Sequence, residues 1–328
     1  VRYLVLILLA ATLGAGFGGY VWVHGPLTLA ADSVDLSVEP GSSARAVAQQ
    51  VQQAGVDVDP TLLYWWFRLS GKSRQIKAGS YELDRSTSPM RLLGKLVRGE
   101  EALRSVTLVE GWTFRQVRQA LAKADQLTNT TAGMTAQEIM QALGRLDVAA
   151  EGRFFPDTYT YAKGSSDLAV LQRAARAMDK KLEATWAQRP PQSVLKSPEE
   201  LLTLASIVEK ETGLASDRPL VAAVFTNRLR IGMRLQTDPT VIYGLGTQFD
   251  GNLRKADLLA DTPWNTYTRA GLPPTPIAMP GREALLATLQ PASSNALYFV
   301  ARGDSSSHFS STLDEHNRAV NKYQRGQQ

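Results

Sequence analysis

Twenty consecutive residues without a charge, LVLILLAATLGAGFGGYVWV from Leu4 to Val23, restrict the start of this chain to a helix in an apolar setting. At about 1.5 Å of rise per residue such a helix reaches roughly 30 Å, the thickness of a bilayer's hydrocarbon core. Arg2 precedes the run, and Tyr20 and Trp22 stand near its far end, matching a basic cytoplasmic flank and an aromatic interfacial belt. A membrane anchor with a short cytoplasmic end is therefore expected over 1–24, with the bulk of the chain on the other side. A cleaved signal peptide ending at Thr28-Leu29-Ala30 is the alternative, although the run exceeds the roughly 7 to 15 apolar residues of a signal core. Gly14, Gly16 and Gly19 spell G-x-G-x-x-G, but with no strand before them they carry no dinucleotide-binding meaning.

The remaining chain is long enough, within 328 residues, for two or three domains. It contains no cysteine, which excludes a disulfide framework and thiolate chemistry. The net charge of +5 suits an anionic partner such as a membrane surface or a cell-wall polymer. Lys and Arg are scattered, so a solvated basic surface is expected rather than nucleic-acid binding. The three histidines, His24, His308 and His316, show no metal-site spacing, and no metal or other cofactor is implied. A G-x-S-x-G nucleophile elbow and a phosphate-binding loop are both missing.

After the connector HGPLTLAADS the chain repeats itself. LSVEPGSSARAVAQQV (36–51) and VTLVEGWTFRQVRQAL (106–121) align without gaps, matching Gly41 with Gly111, Ser43 with Thr113 and Val47 with Val117. Each copy reads as an alternating strand, a glycine turn, a Ser/Thr cap and an amphipathic helix. The pattern resembles the opening of a LysM carbohydrate-binding module, and a structural or a glycan-contacting repeat would fit it equally. Between the copies a strand over Gly79–Leu83 and a helix ending near Gly99 are expected. Beyond them come a helix from Ala136 to Leu143 and a long one from Asp167 to Arg189. Pro190-Pro191 then marks the start of the last domain.

Ser197-Pro198-Glu199-Glu200 combines an N-cap, a proline at the first helical position and a capping-box glutamate. The helix it starts runs through LASIVEKETG, with Gly213 as its expected stop. Glu209 and Glu211 flank its apolar stripe while Lys210 points away. Both carboxylates lie in the final turn, where the helix dipole opposes a negative charge. Partial burial would raise the pKa further and keep a carboxylic acid protonated near neutral pH, as a general acid requires. Geometry alone does not choose between the two. Downstream, LQTDPT and the Pro/Gly-rich PWNTYTRAGLPPTPIAMPG offer amides, hydroxyls and aromatic faces on stiff backbone, a composition suited to a sugar-binding cleft.

The strings ASIVEKET, VFTNRLRIGMRLQTDPTVIYG, NTYTRAGLPPTPIAMPG and ALYFVA, with RSVTLVEGWTF and EGRFFPDTY before them, closely resemble the endolytic murein transglycosylases of the MltG (YceG-like) family. The resemblance implies an α+β protein comprising an anchor (1–24), an N-terminal α+β module (25–104), a LysM-like module with a helical connector (105–190) and an α+β catalytic domain (191–328). It implies a single-pass inner-membrane protein whose periplasmic part cuts peptidoglycan strands internally, between N-acetylmuramic acid and N-acetylglucosamine, near the peptidoglycan synthases. Carried over by motif, Glu211 is the catalytic acid and then base, and Glu209 supports it or is structural. Gln236, Asp238, Tyr243, Asn265 and Tyr267 match motif positions and are expected to bind substrate. Asp238 could equally be a cap or turn residue before Pro239. An inverting hydrolase using Glu211 and Asp238, and a non-catalytic wall-binding scaffold, are the competing readings.

Overall fold

The computed structural model describes residues 2–326, without the side chains of Arg2, Leu4, Val5, Leu8 and Arg325. It is an α+β chain that divides into two compact units, one formed by 1–104 with 160–164 and the other by 105–159 with 165–328. The expected boundary at Pro190-Pro191 lies inside the second unit, whose core takes residues from both sides of it.

In the first unit α1 (Arg2–His24) is followed by β1 (Thr28–Leu29), β2 (Ser33–Val38), α2 (Ala44–Gln53), β3 (Val56–Asp57), α3 (Pro60–Leu69), β4 (Gly79–Asp84) and α4 (Pro89–Arg98). Strand β2 pairs antiparallel with β4 from Ser33↔Asp84 to Val38↔Gly79, burying Val34, Leu36 and Val38 on one face. Those residues meet Val47 and Val51 of α2, Leu63 and Phe67 of α3, and Leu92 and Leu96 of α4 in one core. Among the described residues no helix is long and apolar enough to cross a membrane. The run expected to span falls in α1, and three of its leucine and valine side chains lie outside the described residues.

Strand β5 (Leu103–Thr107) leads toward α5 (Phe114–Lys123) and α6 (Ala136–Ala142) of the second unit, and pairs with β6 (Thr158–Ala162). Then come α7 (Asp167–Trp186), α8 (Pro198–Glu211), α9 (Arg218–Arg230), α10 (Asp238–Leu245), α11 (Lys255–Leu259), α12 (Arg282–Leu289), the hairpin β7 (Tyr298–Ala301) with β8 (Ser307–Ser310), and α13 (Leu313–Val320). Helix α8 is central, with Leu201, Leu202, Leu204, Ala205, Ile207 and Val208 all inaccessible to water. Helices α7, α9, α10 and α12 pack around it.

The repeat is real in three dimensions. Gly41 and Gly111 both take positive φ, 81° and 75°, where an L side chain is strained. Two residues on, the Ser43 and Thr113 side chains accept the N3 backbone N–H of α2 and α5. Ser197 caps α8 as its sequence indicates, but Glu200 reaches past the cap to accept from Lys196 N at 2.7 Å. The helix ends at Glu211, two residues before the expected glycine stop: Thr212 is extended, and Gly213 adopts no left-handed turn.

Candidate active site

The last turn of α8 sends its three polar side chains to three different places. Lys210 is exposed and donates from Nζ to the Gly111 carbonyl at 3.3 Å. Glu209 is half-buried and accepts the Gly281 N–H at 2.9 Å, fixing the start of α12. Two loops close on that region, since Gly111 N donates to the Met279 carbonyl and Met279 N to that of Trp112. The fit is close enough that a Cβ on Gly281 would sit 1.9 Å from Glu110 Oε1. Glu209 is thereby committed to holding backbone.

Glu211 instead turns into a cleft of about 420 Å³ lined by Arg228, Gln236, Thr237, Asp238, Tyr267 and His316, among others. Burial pushes its carboxyl above the ordinary glutamate value. A hydrogen bond from the Thr237 hydroxyl opposes that rise, the negative charge of Asp238 adds to it, and Arg228 opposes it. Arg228 is itself buried, its guanidinium pinned to the carbonyls of Leu297 at 2.7 Å and Leu235 at 2.6 Å.

The segment carrying Gln236, Thr237 and Asp238 is held from behind by the segment 265–268. Gln236 N donates to the Thr266 carbonyl and Thr237 N to Thr266 Oγ1, which also pairs with Thr240 Oγ1 at 2.9 Å. Gln236 has φ of +48°, a left-handed conformation that a non-glycine residue holds only when its surroundings enforce it. Its side chain is exposed at the cleft. Asp238 opens α10, where its charge suits the helix N-terminus, and accepts the Tyr267 hydroxyl at 2.5 Å. It is thus both a helix-start residue and a cleft residue.

Of the six residues expected at the site, Glu211, Gln236, Asp238 and Tyr267 share this cleft, while Tyr243 and Asn265 do not line it. Asn265 is fully buried, donating to the carbonyls of Asp257, Leu258 and Ala260 and accepting from Tyr267 N, so it ties the end of α11 to the residue that bonds Asp238. Tyr243 packs edge-to-face on Trp264 at 5.5 Å and lines a separate cavity of about 450 Å³ with Phe114, Glu151 and Thr275. There Glu151 is buried, accepts the Phe114 N–H at 2.8 Å and is pushed up to about 7, chiefly by desolvation.

Sequence reasoning missed Thr237, Arg228 and His316. Arg228 carried a signal, because it falls at helical spacing from the apolar Val221, Val224 and Phe225 and so had to enter the core with partners. His316 carried none: its ring stacks on Tyr298 at 5.2 Å, and its buried Nδ1 has no hydrogen-bond partner. Burial, then the nearby Arg228 and His308, lower its pKa. Among the described residues no cluster of His, Cys, Asp and Glu could hold a metal ion.

The sequence profile of the YceG-like family matches residues 36–322. An endolytic murein transglycosylase of Bacillus subtilis (strain 168) is 30% identical over 310 residues, covering 89% of this chain and 85% of that protein. One from Streptococcus pneumoniae serotype 2 is 29% identical and covers 96% of this chain, which spans 63% of the longer pneumococcal protein. The crystal structure of a YceG-like protein from Listeria monocytogenes superposes with a TM-score of 0.55 at 29% identity, over 87% of this chain and 98% of that one.

Proposed function

The chain belongs to the YceG-like family, and on that footing we propose that it is an endolytic murein transglycosylase with Glu211 as its single catalytic acid and base. The observation that carries the reading is the Glu211 carboxyl itself: withdrawn from water at the end of α8, raised in pKa, and open to a cleft large enough for a sugar.

In this reading Glu211 protonates the glycosidic oxygen between N-acetylmuramic acid and N-acetylglucosamine as the bond from that oxygen to C1 breaks. The carboxylate left behind takes the proton of the C6 hydroxyl of the same muramic acid unit. O6 then bonds to C1, giving a 1,6-anhydro end, and Glu211 is reprotonated without water entering the balance. The Thr237 hydroxyl stabilises the transient carboxylate. Asp238, oriented by Tyr267, and Gln236 offer hydrogen-bond partners to the sugar hydroxyl and acetamido groups. Glu209 takes no part, because its carboxylate already holds Gly281.

The uncharged run from Leu4 to Val23 supports a further part of the proposal, that α1 anchors the chain in a membrane with the residues beyond His24 on the side of the cell wall. The strand-turn-helix repeat supports glycan contacts of LysM type.

Mass spectrometry of uncrosslinked glycan strands treated with the wild-type chain and with Glu211→Gln tests the chemistry. Internal fragments with 1,6-anhydro ends from the wild type alone are expected. Reducing ends would favour a hydrolase, and equal release by both proteins would remove Glu211 from the mechanism.

A further inference from the structure

Helix α3 has two apolar faces, and the core uses only one. Leu63 and Phe67 are fully buried, whereas Leu62, Trp65 and Leu69, at helical spacing on another stripe, are 48%, 53% and 81% exposed. Isolated exposed apolar residues are ordinary on a protein surface, but these three are continuous with one another and with Met90, 45% exposed at the start of α4. Together with Tyr20 and Trp22 of α1 they line an apolar depression of about 490 Å³. Trp66 donates from its indole N–H to the Pro89 carbonyl at 3.2 Å, which holds α3 against the start of α4 and makes the patch a fixed surface.

We propose that this face is a membrane-docking surface, the Trp65–Leu69 stripe lying in the headgroup and upper acyl region of an anionic phospholipid bilayer beside the emerging end of α1. The inference rests on the reading that α1 crosses that bilayer.

Three features select lipid as the occupant. The patch takes in Tyr20, Trp22 and Val23 of α1, the helix on which Phe17 and Val21 are also exposed. Its aromatic residues are the types that settle at a membrane interface, with an apolar ring and a polar N–H or O–H on each. The residues next to the patch in sequence are basic: Arg68, Lys72, Arg74 and Arg91 are all exposed, and Asp59 caps the start of α3. Cationic side chains around an apolar stripe complement anionic lipid headgroups.

The absence of cysteine from the sequence makes the test direct. Nitroxide labels are placed singly through Leu69→Cys, Leu13→Cys and Lys255→Cys in the full chain, reconstituted into vesicles of phosphatidylethanolamine and phosphatidylglycerol. Accessibility to oxygen, which partitions into lipid, is compared with accessibility to a water-soluble nickel chelate. The expected result is a ratio at position 69 severalfold above that at exposed Lys255 and below that at Leu13 in the middle of α1. A position 69 label that behaves like the one at 255, with the label at 13 still in lipid, overturns the docking and leaves the anchor standing. Shielding of position 69 from both relaxants alike identifies a protein cover, such as a second copy, and also overturns it. A label at 13 in water overturns anchor and docking together.

Discussion

Withdrawal from water is the largest influence on the Glu211 carboxyl, and the Thr237 hydroxyl works against it. Thr237→Val removes that donor at nearly constant shape, so the pKa of Glu211 rises further. The alkaline limb of the pH–rate profile is therefore expected to move to higher pH, with kcat reduced because the carboxylate is less well stabilised; an unmoved limb would remove Thr237 from the control of the proposed acid. Glu151 tests burial at a second carboxyl. The folded chain holds its proton up to about pH 7, whereas an unfolded glutamate releases it near 4.5, so the folded state binds the extra proton between those values. Stability accordingly falls as pH rises through that window, by at most about 3 kcal/mol. Glu151→Gln keeps an acceptor for the Phe114 N–H and removes the charge. Its melting temperature should vary less than that of the wild type between about pH 5 and 8, and an unchanged pH dependence would show that Glu151 does not produce it.

At the scale of elements, the cleft wall is one short stretch of strained backbone with a second segment behind it. Gln236→Gly relieves the left-handed conformation, a gain of about 1 to 2 kcal/mol, but gives the unfolded chain more freedom at a cost of about 0.4 to 1 kcal/mol. The melting temperature is thus expected to change little, and any loss of glycan cleavage reports on the missing amide side chain; full activity would exclude Gln236 from substrate contact. Asn265→Ala acts through the supporting segment. It removes the amide that donates to the part-buried carbonyls of Asp257, Leu258 and Ala260, of which Ala260 still accepts the Thr262 N–H, and is expected to destabilise the chain by about 1 to 3 kcal/mol in denaturant titrations. Because Asn265 also accepts from Tyr267 N, the variant should lose kcat as Tyr267 moves away from Asp238. A stable, fully active Asn265→Ala would show that the wall keeps its place without it.

For the whole molecule, two units with separate cores predict that damage to one is local. Phe67→Ala empties a fully buried position in the first unit and should cost that unit about 3 to 5 kcal/mol. Calorimetry is expected to show an early transition split from the main one, with cleavage of soluble strands retained; one transition moving as a whole would mean that the units unfold together. The sequence by itself determined what short-range chemistry controls: the Ser197 cap and Pro198 start of α8, the paired Gly41 and Gly111 turns, the alternation of β2, and the exposure of Lys210 between two half-buried glutamates. Motif resemblance pointed to Glu211, but periodicity alone left Glu209 equivalent to it. Only the tertiary structure separated them, because the Gly281 N–H and the Thr237 hydroxyl come from distant parts of the chain. It likewise sent Asn265 into the interior and Tyr267, two residues on, into the cleft, within a loop whose composition had suggested that both would meet a ligand. Composition and spacing record what a residue can bond to, whereas burial is set by everything packed around it, and in this protein burial raises the pKa of the Glu211 carboxyl.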